Sequence, residues 1–174
     1  MDSGQLFNKM DDQSVRQPFR RTRADKIRNK LTAEERAVIA QIFSDSSDLI
    51  MGGSERLWRL FPPRYNDPAR QAAYELEKET TAEERVELVT NFVLCRTLLV
   101  DSDLFDEKEA DLLLRSLSKL RLFFASLLEI DADDFELPHD APAEVRLTFD
   151  IYNYTGWLLM HLIEAMDPTQ ATEQ

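Results

Sequence analysis

Apolar and polar positions alternate most tellingly at residues 142–166, PAEVRLTFDIYNYTGWLLMHLIEAM. At 100° per residue, Val145, Phe149, Tyr152, Gly156, Leu159 and Ile163 share one face, while Leu147, Ile151, Leu158 and Leu162 carry apolar surface round the back. A helix apolar on most sides has to be surrounded, so the pattern predicts the central post of a helical bundle. Gly156 gives up helix propensity there and lets a neighbour approach closely. Asp150, Asn153, His161 and Glu164 interrupt the run of about 20 apolar residues that a membrane span needs.

Further helices follow from period and punctuation. Thr32-Ala33-Glu34-Glu35 forms a capping box ahead of stripes made by Val38, Ile42 and Leu49 and by Ile39, Phe43 and Ile50, and Gly52-Gly53 stops that helix near Met51. Ser54 can cap a short helix through Leu60; Asp67 and Pro68 open another through about Glu79. The letters TAEER recur at residues 81–85 and predict the same cap chemistry before a helix at 82–100, which has apolar stripes on two opposite sides. Asp106 with Glu109 caps a helix to about Glu129, with Arg121 at the edge of its apolar stripe, either paired with Asp150 or reaching water. The expected fold is an all-α, single-domain bundle of five or six helices at residues 31–167. A mobile basic N-terminal arm at residues 1–30 precedes it, and a frayed tail at 168–174 follows.

Charge changes this picture at one end. The 174 residues carry a net −12, yet residues 1–30 hold eight Lys and Arg against four Asp, leaving −16 on the rest. Arg16, Arg20, Arg21, Arg23, Lys26, Arg28 and Lys30 crowd the arm against the lone Asp25. Two readings stay open: a solvated tail or short strand docking Ile27 and Leu31, or an electrostatic handle for nucleic acid or an acidic protein surface. An acidic body repels phosphates, so DNA contact would run through the arm alone. A single cysteine allows no intrachain disulfide, and no apolar run after Met1 resembles a signal peptide, which points to a reducing, cytoplasmic setting.

Catalytic signatures do not appear. There is no HExxH, GxSxG, Walker A or GxGxxG pattern, His161 with Glu164 lacks the company a metal site needs, and neither a metal nor a cofactor is expected. Two features carry weight. Asp150, Asn153, Tyr154, Trp157, His161 and Glu164 lie with Arg146 in one polar wedge of the post, where Trp157 is either an interface anchor or is covered by the elbow around Phe61. Cys95 is either a redox thiol activated beside Arg96 or a buried one, because Leu88, Phe92 and Leu99 share its stripe.

LFPPRYNDPA at residues 60–69, LRSLSKLRLFFASLLEI at 114–130 and YNYTGWLLMHLIEAM at 152–166, with the FRR arm at 19–21 and LTAEERAVI at 31–39, resemble an actinobacterial family, domain of unknown function twenty-seventeen. That resemblance covers residues 18–166. It implies a small, helical, cytoplasmic protein whose gene lies near those of the ClpS adaptor and sulfur metabolism. Part of the family is described as oxidative-stress transcriptional regulators acting with a sigma factor, a mechanism that uses two cysteines four residues apart. Here Asn91 and Leu99 stand at that spacing from Cys95, so an intramolecular switch is excluded, leaving either regulation without thiol sensing or sensing between chains. The resemblance thus implies a non-enzymatic regulator contacting a sigma factor or RNA polymerase, to which the charge of the arm adds attraction to DNA or to an acidic patch. The alternative is a proteolysis-linked adaptor of the Clp system.

Overall fold

A computed structural model describes residues 16–53, 57, 60–61, 71–130 and 135–169, with 71–80 described by their helical backbone. Where a mobile arm was expected, residues 19–29 form an antiparallel hairpin of β1 (Phe19–Arg21) and β2 (Ile27–Asn29), with Phe19 opposite Asn29 and Arg21 opposite Ile27. Period-2 alternation explains it: Phe19, Ile27, Asn29 and then Leu31 are buried, while Arg20, Arg28 and Lys30 are exposed. Residues 1–15 lie outside the described residues.

Helix α1 (Ala33–Gly52) starts on the expected capping box, with the Glu35 N–H donating to Thr32 Oγ1 at 3.2 Å and the Thr32 N–H to Glu35 Oε2 at 2.7 Å. It ends on Gly53, whose φ of 71° is the left-handed conformation that glycine adopts freely. Helix α2 (Gln71–Asp101) runs unbroken through Thr81, so TAEER caps nothing there. Glu77, Lys78, Glu79 and Thr80 contain no helix breaker, and a capping sequence acts only where the backbone already departs from helix. Strand β3 (Leu104–Phe105) pairs antiparallel with β2 and completes a sheet of order β1-β2-β3. Helix α3 (Glu107–Leu127) begins on the Asp106/Glu109 capping box, and α4 (Ala143–Met166) follows.

The described residues thus form four helices and a small sheet, predominantly helical but not the expected all-α bundle of five or six helices. Two expected helices merge into α2. Of the short helix expected at 54–60 only Leu57 and Leu60 are described, and the cap expected at Asp67-Pro68 lies outside the described residues. Helices α1 and α2 pack as one pair and α3 and α4 as another; α3 meets α1, α2, α4 and β3, while α4 also rests on β1. The interior is closed by Phe43 against Phe92 at 5.0 Å and Phe19 against Phe105 at 6.3 Å, with Leu113, Leu117, Leu120 and Phe123 of α3 fully buried.

The central position therefore belongs to α3, not to the expected post. On α4 the buried face is Tyr154, Thr155, Leu158, Leu162 and Ala165, whereas Val145 and Ile163 are 36 % and 52 % exposed. Helix α4 has apolar residues on opposite sides, and periodicity alone cannot choose between them. The side with small Thr155 and Ala165 lies against the body. The close neighbour of Gly156 is not a helix backbone but Arg121, whose Nε would lie 3.0 Å from a β-carbon added there.

Candidate functional site

No helix of α1–α4 carries a basic residue in its last turn, so the negative ends of these helix dipoles need cations from elsewhere. At the ends of α2 and α4, donors from the hairpin and from the start of α1 take this place. Arg21 donates from Nη1 to the Met166 carbonyl at the end of α4 (2.8 Å) and is held by Asp25 Oδ1 at 3.2 Å. Asn29, 5 % exposed, donates through Nδ2 to the Leu99 and Ser102 carbonyls at the end of α2, both at 3.1 Å, and accepts the Leu31 N–H at Oδ1. Arg36 reaches the Leu31 carbonyl, the Val100 and Ser102 carbonyls and Asp103 Oδ1 (2.7 Å). Two helix ends therefore clamp the hairpin and fix its outer face.

That outer face is cationic. Arg20 and Arg28 are directly opposed in register, an arrangement in which like charges destabilise a strand pair. Arg20, Arg23, Arg28 and Lys30 are exposed and make no hydrogen bond or ion pair through their side chains among the described residues. With Arg21 they line a cleft of about 360 Å³ whose far wall is α4, represented by His161, Glu164 and Ala165. His161 Nδ1 lies 2.9 Å from Glu164 Oε2, and its ring stands edge-on to Trp157 at 4.9 Å. The basic cluster and part of the polar wedge, far apart in sequence, thus share one concavity.

Other candidate residues fall elsewhere. Arg16 is used on Glu35, bridging it at 2.8 and 2.9 Å; Lys26 is exposed in the hairpin turn. Tyr154 is buried and its hydroxyl has no hydrogen-bond partner among the described residues. Burial, reinforced by the nearby Glu35 carboxylate, pushes that phenol well above its ordinary range. Trp157 is half-buried and stacked on Tyr154 at 5.9 Å. Asp150 is half-buried without an ion pair among the described residues, and desolvation raises its carboxyl above the usual range. Arg121 does not pair with it: its Nη2 donates to the Tyr152 hydroxyl at 2.7 Å, with the guanidinium 4.5 Å from that ring. Asn153 lies with Arg121, Gly156 and Met160 along a shallow groove outside the cleft.

Cys95 is fully buried in α2, its Sγ 3.7 Å from the Leu112 carbonyl. Burial pushes the thiol up to about 11, so at neutral pH it is a protonated core group rather than a thiolate. Asn29 and Arg36 escaped the sequence reading. The signal was present in Ile27-Arg28-Asn29-Lys30-Leu31, where period 2 puts the asparagine on the apolar side of a strand.

Fold and site define a small, predominantly helical protein with a recessed cationic surface on an acidic body. Its family follows from the sequence profile described as Domain of unknown function (DUF2017), which matches residues 16–166; the chain belongs to that family. No curated protein and no solved structure matches it. Among the described residues no helix is long and apolar enough to cross a membrane, and no group of three His, Cys, Asp or Glu is placed to hold a metal ion.

Proposed function

We propose that this protein is a non-enzymatic regulator, working in the cytoplasm by contact with a sigma factor or RNA polymerase as part of an oxidative-stress response. One observation carries the reading: the clamped hairpin holds cations without a partner among the described residues beside His161, the edge of the polar wedge, on a chain that is otherwise strongly acidic. A surface of both signs, rigidly held, suits a protein partner with a mixed charge pattern, where complementarity sets orientation and on-rate. Direct DNA contact is the lesser part of this reading, runs through Arg20, Arg23, Arg28 and Lys30, and weakens steeply with salt. The resemblance to actinobacterial oxidative-stress regulators supports the choice of partner. The burial of the Cys95 thiol supports regulation without peroxide sensing by this chain itself over sensing between chains.

Affinity capture on the tagged full chain tests the proposal. Recovery of sigma factor or polymerase, lost when Arg20 and Arg28 are both changed to Glu, is the expected result. Recovery of Clp components without polymerase would replace it with the adaptor reading. Truncation of residues 1–30 is a poor substitute, because it would strip Phe19, Ile27 and Asn29 from the interior.

A further inference from the structure

We infer that the cleft between the hairpin and α4 binds a compact ligand bearing two or more linked phosphate groups. The inference goes beyond the partner-contact reading and stands without it.

Charge balance is the first argument. Among the described residues the side chains of Arg20, Arg23, Arg28 and Lys30 have no partner, and Glu164, the one carboxylate found lining the cleft there, is engaged with His161. Near neutral pH a single phosphate carries at most two negative charges and offsets half of these four cations, whereas a linked diphosphate offsets most of them. Shape is the second. Arg20 and Arg28 leave one strand pair directly opposite each other, and Lys30 follows Arg28 on the same face about 7 Å further along. The α4 wall then closes the other side, giving a recess of about 360 Å³, at the small end of ligand sites. A duplex would have to bring its length past a body that carries −16 outside residues 1–30, and a compact anion would not. Pre-organisation is the third: the clamps through Arg21 and Asn29 fix the hairpin backbone before any ligand arrives, which lowers the ordering cost of binding. Arginine adds paired donors that match phosphate oxygens. His161 contributes an Nε2 with no partner among the described residues. Among the described residues lining the cleft, the aromatic rings are the buried Phe19 and the half-buried His161, so recognition falls on the phosphates rather than on a base.

Thermal unfolding and calorimetric titration of the full chain test this at constant ionic strength, with pyrophosphate, tripolyphosphate, ADP, orthophosphate and a 20-base-pair DNA duplex as probes. Pyrophosphate, tripolyphosphate and ADP should raise Tm by about 5–10 °C at hundred-fold excess over Kd, well above the effect of orthophosphate. Equal responses to pyrophosphate and ADP identify the diphosphate group as the determinant; a stronger response to ADP adds a nucleoside contact, and a stronger one to tripolyphosphate favours an inorganic chain. The double variant Arg20→Gln/Arg28→Gln, which relieves the repulsion between two exposed opposed charges, should keep or slightly raise its own Tm and lose on the order of 100-fold in affinity. No response to the three probes, an undiminished response in the variant, or a duplex bound more tightly than tripolyphosphate overturns the inference. In each of these cases polymerase capture remains a separate measurement.

Discussion

Replacing Asn29 with alanine tests whether the hairpin is held by the end of α2. Its side chain makes three hydrogen bonds, two donated to the Leu99 and Ser102 carbonyls and one accepted from the Leu31 N–H, at a site 5 % exposed to solvent. Each such bond contributes about 1 kcal/mol net, and the groups left behind are shielded from water, so the loss should be about 3 kcal/mol. For a chain of this size that corresponds to a fall in Tm of roughly 6–12 °C. Asn29→Asp separates two causes. It keeps the acceptor and the shape but sets a carboxylate against carbonyls at the negative end of the α2 dipole, so it should cost more than alanine by about 1 kcal/mol. Urea unfolding followed by far-UV circular dichroism measures both. A loss below about 1 kcal/mol for Asn29→Ala, or an aspartate variant more stable than the alanine one, would refute the argument that this amide clamps the hairpin.

Three further outcomes are expected. Cys95 is protonated in the folded chain up to about 11, against an ordinary value of 9.0, so between these values the folded state holds more protons than the unfolded one. Stability is therefore intact below pH 9 and falls between pH 9 and 11 by about 2–3 kcal/mol from this group, and Cys95→Ala should flatten that part of a stability profile against pH. Tyr154→Phe removes a buried hydroxyl without a partner among the described residues and should raise stability by about 1 kcal/mol in urea unfolding; a comparable loss would reveal a partner. Glu129 has a φ of 57° just after α3, where the Ile130 N–H closes back on the Ala125 carbonyl, so Glu129→Gly should raise Tm by about 1–3 °C in a thermal melt.

Local signals were the most legible part of the fold. Both capping boxes, at Thr32/Glu35 and Asp106/Glu109, appear where the residues place them, because their chemistry is complete within four positions. The same reasoning failed at Thr81, where nothing in the preceding residues interrupts the helix and an identical motif lies inside α2. Helix α4 was found with its bounds nearly right, but its orientation was not, since Val145, Tyr152 and Ile163 offered as good a stripe as Leu158 and Leu162. Choosing between them needs the partner surface, which is a property of α3 and β1. The cleft was half legible. Arg20, Arg28 and Lys30 announce themselves by charge, and His161 and Glu164 by their polar wedge, yet only the chain path from β1 to α4 brings the two together. The clamp of Asn29 and Arg36 was hidden because its acceptors are backbone carbonyls, which no sequence pattern displays.

The bond from Arg21 to the Met166 carbonyl joins positions 145 residues apart. During synthesis, at about 5–20 residues per second, roughly 7–30 s separate the emergence of the arginine from that of its acceptor. Over that interval the hairpin can be held only by the end of α2, through Asn29, and its second clamp closes once the end of α4 has been made. A stalled chain that stops short of residue 166 would lack this seam and keep its cationic hairpin held at the α2 end alone, so the join between β1 and α4 records whether synthesis has passed α4.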